Sequence, residues 1–464
     1  MANALNDKVG PLMQVYLQRL NASLKTRLKG GSLTIMQSSG GVTSAEQAGR
    51  YPVNLLLSGP AGGLKGAQSV AAASGEDRLL TFDMGGTSTD VSIIDKSIGF
   101  TSEANIGGYP VAVPMVDMHT IGAGGGSIAQ IDAGGLLLVG PESAGADPGP
   151  ACYGKGGKRP TVTDANVVLG RLQPRSFLGG GMQLDVDAAR AAVSSISKAL
   201  SKEGETLSIE QAAKGIIDVV NDHMVRALRV MSVERGEDPK DYTLVSFGGA
   251  GGLHVCALAS ELEMSRALVP VNAGVLSALG MLAAEASRER SRTINRQLKD
   301  CQQQEIESLF SELVEHCMSE LASKDGNVRN ILTVDVRYKG QSHPLNLSWS
   351  DVSSIGNDFN DKHEESYGHR LNIDIELVNL RVRVIEQRQT FKLPDWQATE
   401  ELSESTVEMP GIDAPVTAVN RAGLKAGQKL AGPKLITETS STTWLEEGWS
   451  AEVDRVGNLL FTED

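Results

Sequence analysis

Aromatic side chains are scarce in this sequence: Phe, Trp and Tyr together account for 4% of 464 residues. That removes the stacking platforms on which single-stranded nucleic acids are held. Positive charge is also short. Lys and Arg number 43 against 57 Asp and Glu, a formal charge of −14, which argues against a nucleic-acid surface built from clustered cations. Only four cysteines occur, Cys152, Cys256, Cys301 and Cys317, and none forms a CxxC pair, so a disulfide scaffold is not expected. No apolar run approaches the roughly 20 residues of a membrane-spanning helix. The opening MANALNDKVG has no basic stretch leading into an apolar one, so no secretory signal is read there. The expectation is a cytoplasmic protein without nucleic-acid or membrane partners.

Glycine is what the chain has in quantity, 51 residues, beside a hydrophobic fraction of 41%. The length predicts two or three domains with aliphatic cores. Leu12, Tyr16, Leu20 and Leu24 recur every four residues, predicting an amphipathic helix over 9–28 that Gly30 and Gly31 stop. RLLTFD (78–83) and DVSIID (90–95) read as strands joined by a glycine-hydroxyl turn. Between 122 and 157 a third of the residues are glycine, which predicts a long loop region, and such loops inside a compact domain are commonly functional. Ser208 and Gln211 form a capping box that opens a long helix ending at Gly236. YTLVSFGGAGGLH (242–254) reads as strand, turn and helix. Near 290 glycine thins out. SRERSR (287–292) is predicted as a solvated linker surface and QQQEIESLFSELVEHCMSEL (302–321) as a solvated amphipathic helix, with alternating stretches after it. The segmentation is therefore 1–290 as a catalytic domain, 291–324 as a linker helix and 325–464 as a β-rich C-terminal domain.

The stretch TFDMGGTSTD (81–90) carries the most chemistry. Gly85 and Gly86 let backbone N–H groups approach an anion without a Cβ in the way, and Thr87, Ser88 and Thr89 add hydroxyls. Asp83 and Asp90 repel phosphate, but they suit Mg²⁺ or its waters, which would bridge to the phosphates. The bland alternative is a glycine hairpin whose Asp and Thr satisfy turn backbone. FGGAGG (247–252) offers a second glycine surface, Gly248, Gly249, Gly251 and Gly252, against which a flat ring system can lie, although glycine turns before helices are common.

Asp117 and His119 in DMHT alternate onto one strand face, compatible with a metal site or a proton relay, or with a strand-end pair meeting backbone. Asp83, Asp117 and His119 are thus the candidate metal ligands, and Asp83, Asp90, Asp117 and His119 the candidate catalytic residues. Asp147, Cys152 and Asp164 share the glycine-rich region. Cys152 reads as a small buried thiol, since nothing adjacent in sequence activates it. His254 either faces a ligand or packs at the helix start.

SGPAGG, TFDMGGTSTDVS, DMHTIGAGGGSIA, VGPESAGADPGPACYG, TVTDANVVLGRL and FGGAGGLH, in this order, resemble the hydantoinase A/5-oxoprolinase family, and GPKLITETSSTTWLEEGW resembles that family's C-terminal region. The resemblance implies an α/β fold of the actin/sugar-kinase/Hsp70 nucleotide-binding type followed by a mostly β C-terminal domain. It implies ATP and Mg²⁺ or another divalent metal as cofactors. The activity implied is ATP-dependent opening of a cyclic amide of hydantoin or 5-oxoproline type, with a hydantoinase B-type subunit as partner. Ketone carboxylation is the alternative enzyme reading, and a non-catalytic nucleotide- or partner-binding module the alternative outside enzymes. Asp83–Asp90 matches the fold's second phosphate loop and Gly248–Gly252 its adenosine loop. The first loop, of D-x-G-G-T type, is not found in residues 1–80. On this reading the chain holds one half of an ATP cleft, and a separate subunit supplying the other half is an expected partner.

Overall fold

A computed structural model of the chain describes residues 2–28, 33–101, 104–106, 109–111, 113–201, 206–321, 327–341, 343–387 and 391–464. The chain folds into two units. One comprises residues 1–58, 101–115 and 284–391, the other 59–100, 116–283 and 392–464.

The second unit is built on a nine-stranded mixed sheet. Arg78–Met84 and Thr89–Asp95 form an antiparallel hairpin, with Asp83 opposite Asp90 and Met84 opposite Thr89. On one side His119–Ile121 pairs with the hairpin. On the other, Thr243–Phe247 runs parallel to Arg78–Met84, and Arg266–Val269 runs parallel to Thr243–Phe247. Helix Ile209–Met231 packs against Thr89–Asp95 and His119–Ile121 through Ile216, Val220, Met224 and Leu228, all buried at helical spacing. Its predicted capping box is present, Ser208 accepting from Gln211 N–H while the Gln211 side chain accepts from Ser208 N–H. The helix stops at Met231, and a single 3-10 turn, Val233–Arg235, carries the chain to Gly236, five residues beyond.

Helix Ser58–Ala73 meets helix Leu276–Ala283 at backbone contact. A Cβ on Gly280 would collide with the Gly62 carbonyl and lie 2.6 Å from the Gly66 nitrogen, and one on Gly66 would lie 2.6 Å from the Leu276 carbonyl. These glycines are steric necessities of the crossing, not turn residues.

The first unit has its own core. Strands Ser287–Gln297, Ile375–Glu386, Val328–Tyr338 and Leu345–Ser348 form an antiparallel sheet in that order. Ile306, Phe310, Leu313 and Cys317 of helix Gln303–Glu320 are buried with Val334, Val336, Val382 and Val384 of the sheet. Helix Ala2–Arg27 packs through Leu17 on Ala45 and Ala48. Leu12 and Tyr16, expected on its buried stripe, are exposed, and the expected stop at Gly30 and Gly31 lies outside the described residues.

Two sequence expectations change here. SRERSR is not a linker surface but part of strand Ser287–Gln297. Two of its three arginines pair with the covering helix, Arg290 with Glu320 and Arg292 with Glu312 at 2.8 Å, as does Arg296 farther along the strand with Glu305 at 2.6 Å. The helix is accordingly core-forming. The segmentation at 290 and 325 also cuts across both units. Residues 284–391 belong with the N-terminal segment, while Leu459–Glu463 pairs antiparallel with Arg266–Val269 and so extends the large sheet.

Alanine is ordinarily a better helix residue than glycine by about 1 kcal/mol, yet Gly280→Ala is expected to destabilise by about 1–3 kcal/mol because the helices must separate. Urea denaturation checks this; a midpoint that stays or rises would refute the backbone-contact account.

Candidate functional site

The hairpin turn 85–88 is closed by Gly85 N–H donating to Ser88 O at 3.1 Å. Behind it lies the glycine-rich segment 122–126. Gly125 N–H donates to Gly85 O at 2.9 Å and Gly126 N–H to Gly86 O at 2.6 Å, and Thr89 Oγ1 donates to Ala123 O at 2.5 Å. A Cβ on Gly124 would sit 2.7 Å from Thr87 N and 2.8 Å from Ser88 N, so only glycine admits this approach. The platform is held in turn by Thr163, whose N–H and hydroxyl both donate to Gly125 O, at 2.7 and 2.8 Å.

The orientation of the turn follows from these bonds. In a trans peptide the N–H points opposite to the C=O. With the carbonyls of Gly85 and Gly86 directed into the platform, the N–H groups of Gly86 and Thr87 point away from it. Both residues are exposed. Two successive N–H groups aimed to one open side form an anion-binding concavity.

The second glycine turn abuts the hairpin. Phe247 lies beside Asp83 in parallel register, Ala250 N–H donates to Met84 O at 3.1 Å and Gly248 N–H to Ala273 O at 3.1 Å. Gly248 has φ 82°, and a Cβ there would strike the Asp83 carboxylate and the Met84 carbonyl. Gly251 and Gly252 are buried, their missing side chains occupied by Ser246 and by Thr443, each 2.7 Å from the Cβ position. Only Gly249 is exposed. Loop 438–441 also reaches this turn: Ser440 O lies 3.5 Å from the Cβ position of Gly249, and Ser440 Oγ 2.8 Å from that of Gly274. Glu438 of the same loop takes a hydrogen bond from Ser441 Oγ at 2.6 Å and lies 3.2 Å from the buried Arg421 guanidinium. Glu438 and Ser440 were not singled out from sequence; the polar run TETSS between two strands was the signal available.

Asp83 and Asp90 face each other across the hairpin. Burial, and then the charge of Asp90, push the Asp83 carboxyl up to about 6. Burial raises Asp90 too, opposed by a hydrogen bond from Thr120 Oγ1 at 2.6 Å. Neither carboxylate has a cationic partner among the described residues. This pair fits a hard divalent cation, and no group of three His, Cys, Asp or Glu among the described residues makes a closed metal cage. Mg²⁺ suits such a partial set, because it keeps several waters and takes phosphate oxygens.

The other expected site residues lie elsewhere. The register aligns Asp83, Asp90 and Thr120, and puts His119 beside Val91. Successive strand residues point to opposite faces, so His119 is on the sheet face away from Asp83, in a recess with His223, Ile121 and Val139. Asp117 is ion-paired with Arg235. The structure therefore does not bring Asp117 and His119 to Asp83 as one metal site. Thr89 spends its hydroxyl on Ala123, leaving Thr87 and Ser88 as the turn's available hydroxyls. His254 is fully buried, donates from Nδ1 to Asn221 Oδ1 at 2.6 Å, and is held down to about 3 by burial and Arg171; it packs. Cys152 is buried, its thiol pushed far up by burial and then by Asp164. Asp164 accepts from the N–H groups of Ala151, Cys152 and Thr161, pinning the loop to the start of helix Val162–Val168.

Comparison with known proteins adds an independent line. The profile of the Hydantoinase/oxoprolinase family matches residues 2–290. The chain is 33% identical to caprolactamase subunit alpha of Pseudomonas jessenii, over 97% of this chain and 67% of that protein. It is 30% identical to 5-oxoprolinase 1 of Arabidopsis thaliana, over 97% of this chain but only 37% of that protein. The crystal structure of the ATP-dependent caprolactamase from Pseudomonas jessenii superposes with a TM-score of 0.85 at 33% identity, covering 98% of this chain and 69% of that one.

Because folding raises the proton affinity of Asp83, its charge costs stability; the cost sets in between pH 3.8 and about 6 and is complete above. Asp83→Asn is expected to raise stability by about 1–3 kcal/mol at pH 7.5, with the gain vanishing near pH 4. Denaturation of both proteins across this range tests it, and an Asn variant less stable at pH 7.5 would contradict it.

Proposed function

As the chain belongs to the hydantoinase/oxoprolinase family, we propose that it is the ATP-handling, A-type subunit of an ATP-dependent cyclic-amide hydrolase. The observation that carries this reading is the meeting of the Asp83–Asp90 hairpin with the Gly248–Gly252 turn, where two outward N–H groups stand beside an unneutralised carboxylate pair. This is the neighbourhood expected of the actin/sugar-kinase/Hsp70 nucleotide-binding type, a fold assignment we include in the proposal.

An amide carbonyl is a poor electrophile. Transfer of a phosphoryl group from ATP to its oxygen opens the ring carbon to attack by water. The tetrahedral adduct breaks the ring C–N bond, the nitrogen leaving as the protonated amine, and a second water hydrolyses the resulting acyl phosphate to carboxylate and phosphate. Such transfer is catalysed chiefly by positioning and by charge stabilisation. Gly86 and Thr87 N–H, with the Thr87 and Ser88 hydroxyls, hold phosphate oxygens. Asp83 and Asp90 are the residues that would hold Mg²⁺, which would supply neutralisation of the phosphate charge. The exposed Gly249, flanked by Ser440, takes the adenosine face. Water is activated, and the opened product released, in an assembled enzyme to which a hydantoinase B-type subunit and a second phosphate loop contribute from outside these 464 residues. A ring of hydantoin, 5-oxoproline or larger lactam type is the substrate class.

Calorimetry with Mg·ATP tests the reading. Binding is expected, strengthening as pH rises through about 6 where Asp83 ionises, and Asp83→Ala is expected to weaken it at least about tenfold. Undiminished binding by the Ala variant, or none by the wild type, would refute it.

A further inference from the structure

We propose that the first unit holds a separate binding site for a small organic monocarboxylate. It is a cavity of about 230 Å³ bounded by the turn 37–43, the segment 51–55 and strand Ser287–Gln297. Every residue lining it belongs to that unit, so the inference does not rest on the nucleotide site.

The charge requirement comes from Arg288. Its side chain lines the cavity and the residue is 9% exposed. Nη1 donates to Ser287 O at 2.7 Å and Val42 O at 3.4 Å, but Nε has no partner and the guanidinium no ion pair among the described residues. The carboxylate acting on it most strongly, Glu320, is engaged by Arg290. A buried guanidinium without a counter-anion is costly, and a planar carboxylate matches its fork of donors. Thr43 Oγ1 is a second orphan in the wall, on a residue 4% exposed, able to donate to the same anion.

The remaining lining narrows the ligand. Glu289 and Glu320 are also in the wall, so a ligand with two or three negative charges would meet repulsion; one charge is what Arg288 leaves unmet. Val53 and Val113 supply an apolar side, which suits a hydrocarbon body over an inorganic ion. Gln37, Gln47 and Asn54 each offer a donor and an acceptor, the complement of an amide. The volume is below the roughly 300 Å³ at which drug-sized pockets begin, so the ligand is metabolite-sized.

Two rings that differ only in a carboxylate make the test: 5-oxoproline and 2-pyrrolidone, titrated calorimetrically into the full chain without nucleotide. 5-Oxoproline is expected to bind at least about tenfold more tightly than the neutral ring. Arg288→Met is expected to abolish that preference, Thr43→Val to weaken 5-oxoproline binding a few-fold, and Asp83→Asn to leave it unchanged, which separates this site from the nucleotide reading. Equal affinity for both rings, no heat with either, or full preference retained in a folded Arg288→Met would overturn the proposal. If Arg288→Met does not fold, as its melting curve would show, the wild-type ring comparison together with Thr43→Val decides.

Discussion

Two carbonyl groups set the geometry on which the proposed chemistry depends. Because Gly85 O and Gly86 O are held by the N–H groups of Gly125 and Gly126, the peptide planes of the turn cannot rotate, and the N–H groups on their far sides are fixed before any ligand arrives. Preorganised donors lose little on binding and need no reorganisation as charge develops. The same bonds explain why the segment behind the turn is so rich in glycine: side chains on Gly124 or Gly126 would fill the space through which the two backbones touch. Thr163 then anchors that segment to a helix through Gly125 O, so the stiffness of the turn is inherited from residues far along the chain.

The carboxylate pair is the energetic counterpart of this arrangement. Asp83 is half-buried against Gly248 and opposite Asp90, an environment that opposes its own ionisation. Groups perturbed in this way gather at functional sites, and the local instability is offset elsewhere in the sheet, whose Leu79, Leu80, Phe82 and Leu244 are almost completely buried.

Local sequence signals proved reliable where the structure is local. The hairpin, the Ser208–Gln211 capping box and the strand–turn–helix around FGGAGG are each specified within a short stretch of chain, by turn chemistry, a cap and a strand-length apolar run. What could not be read were features fixed by distant pairing. DMHT gives no sign that His119 faces away from Asp83, because that depends on the register of His119 against Val91. SRERSR looked solvated because its counter-charges lie on a helix that begins at Gln303. Ser440 reaches the glycine turn only through the folding of residues 392–464 into the second unit. The family resemblance supplied the function class, while its residue-level placement required the register.

The pairing of Leu459–Glu463 with Arg266–Val269 also bears on how the chain is made. During synthesis, nearly two hundred residues leave the ribosome between these two strands. Until the later one emerges, the outer edge of Arg266–Val269 has no hydrogen-bonding neighbour, and its Ala267, Leu268 and Val269, buried in the finished fold, stand at an open sheet edge. Such edges recruit strands from other chains. At translation rates of about 5–20 residues per second the exposure lasts on the order of ten seconds or more, long enough for a chaperone to act on the nascent chain.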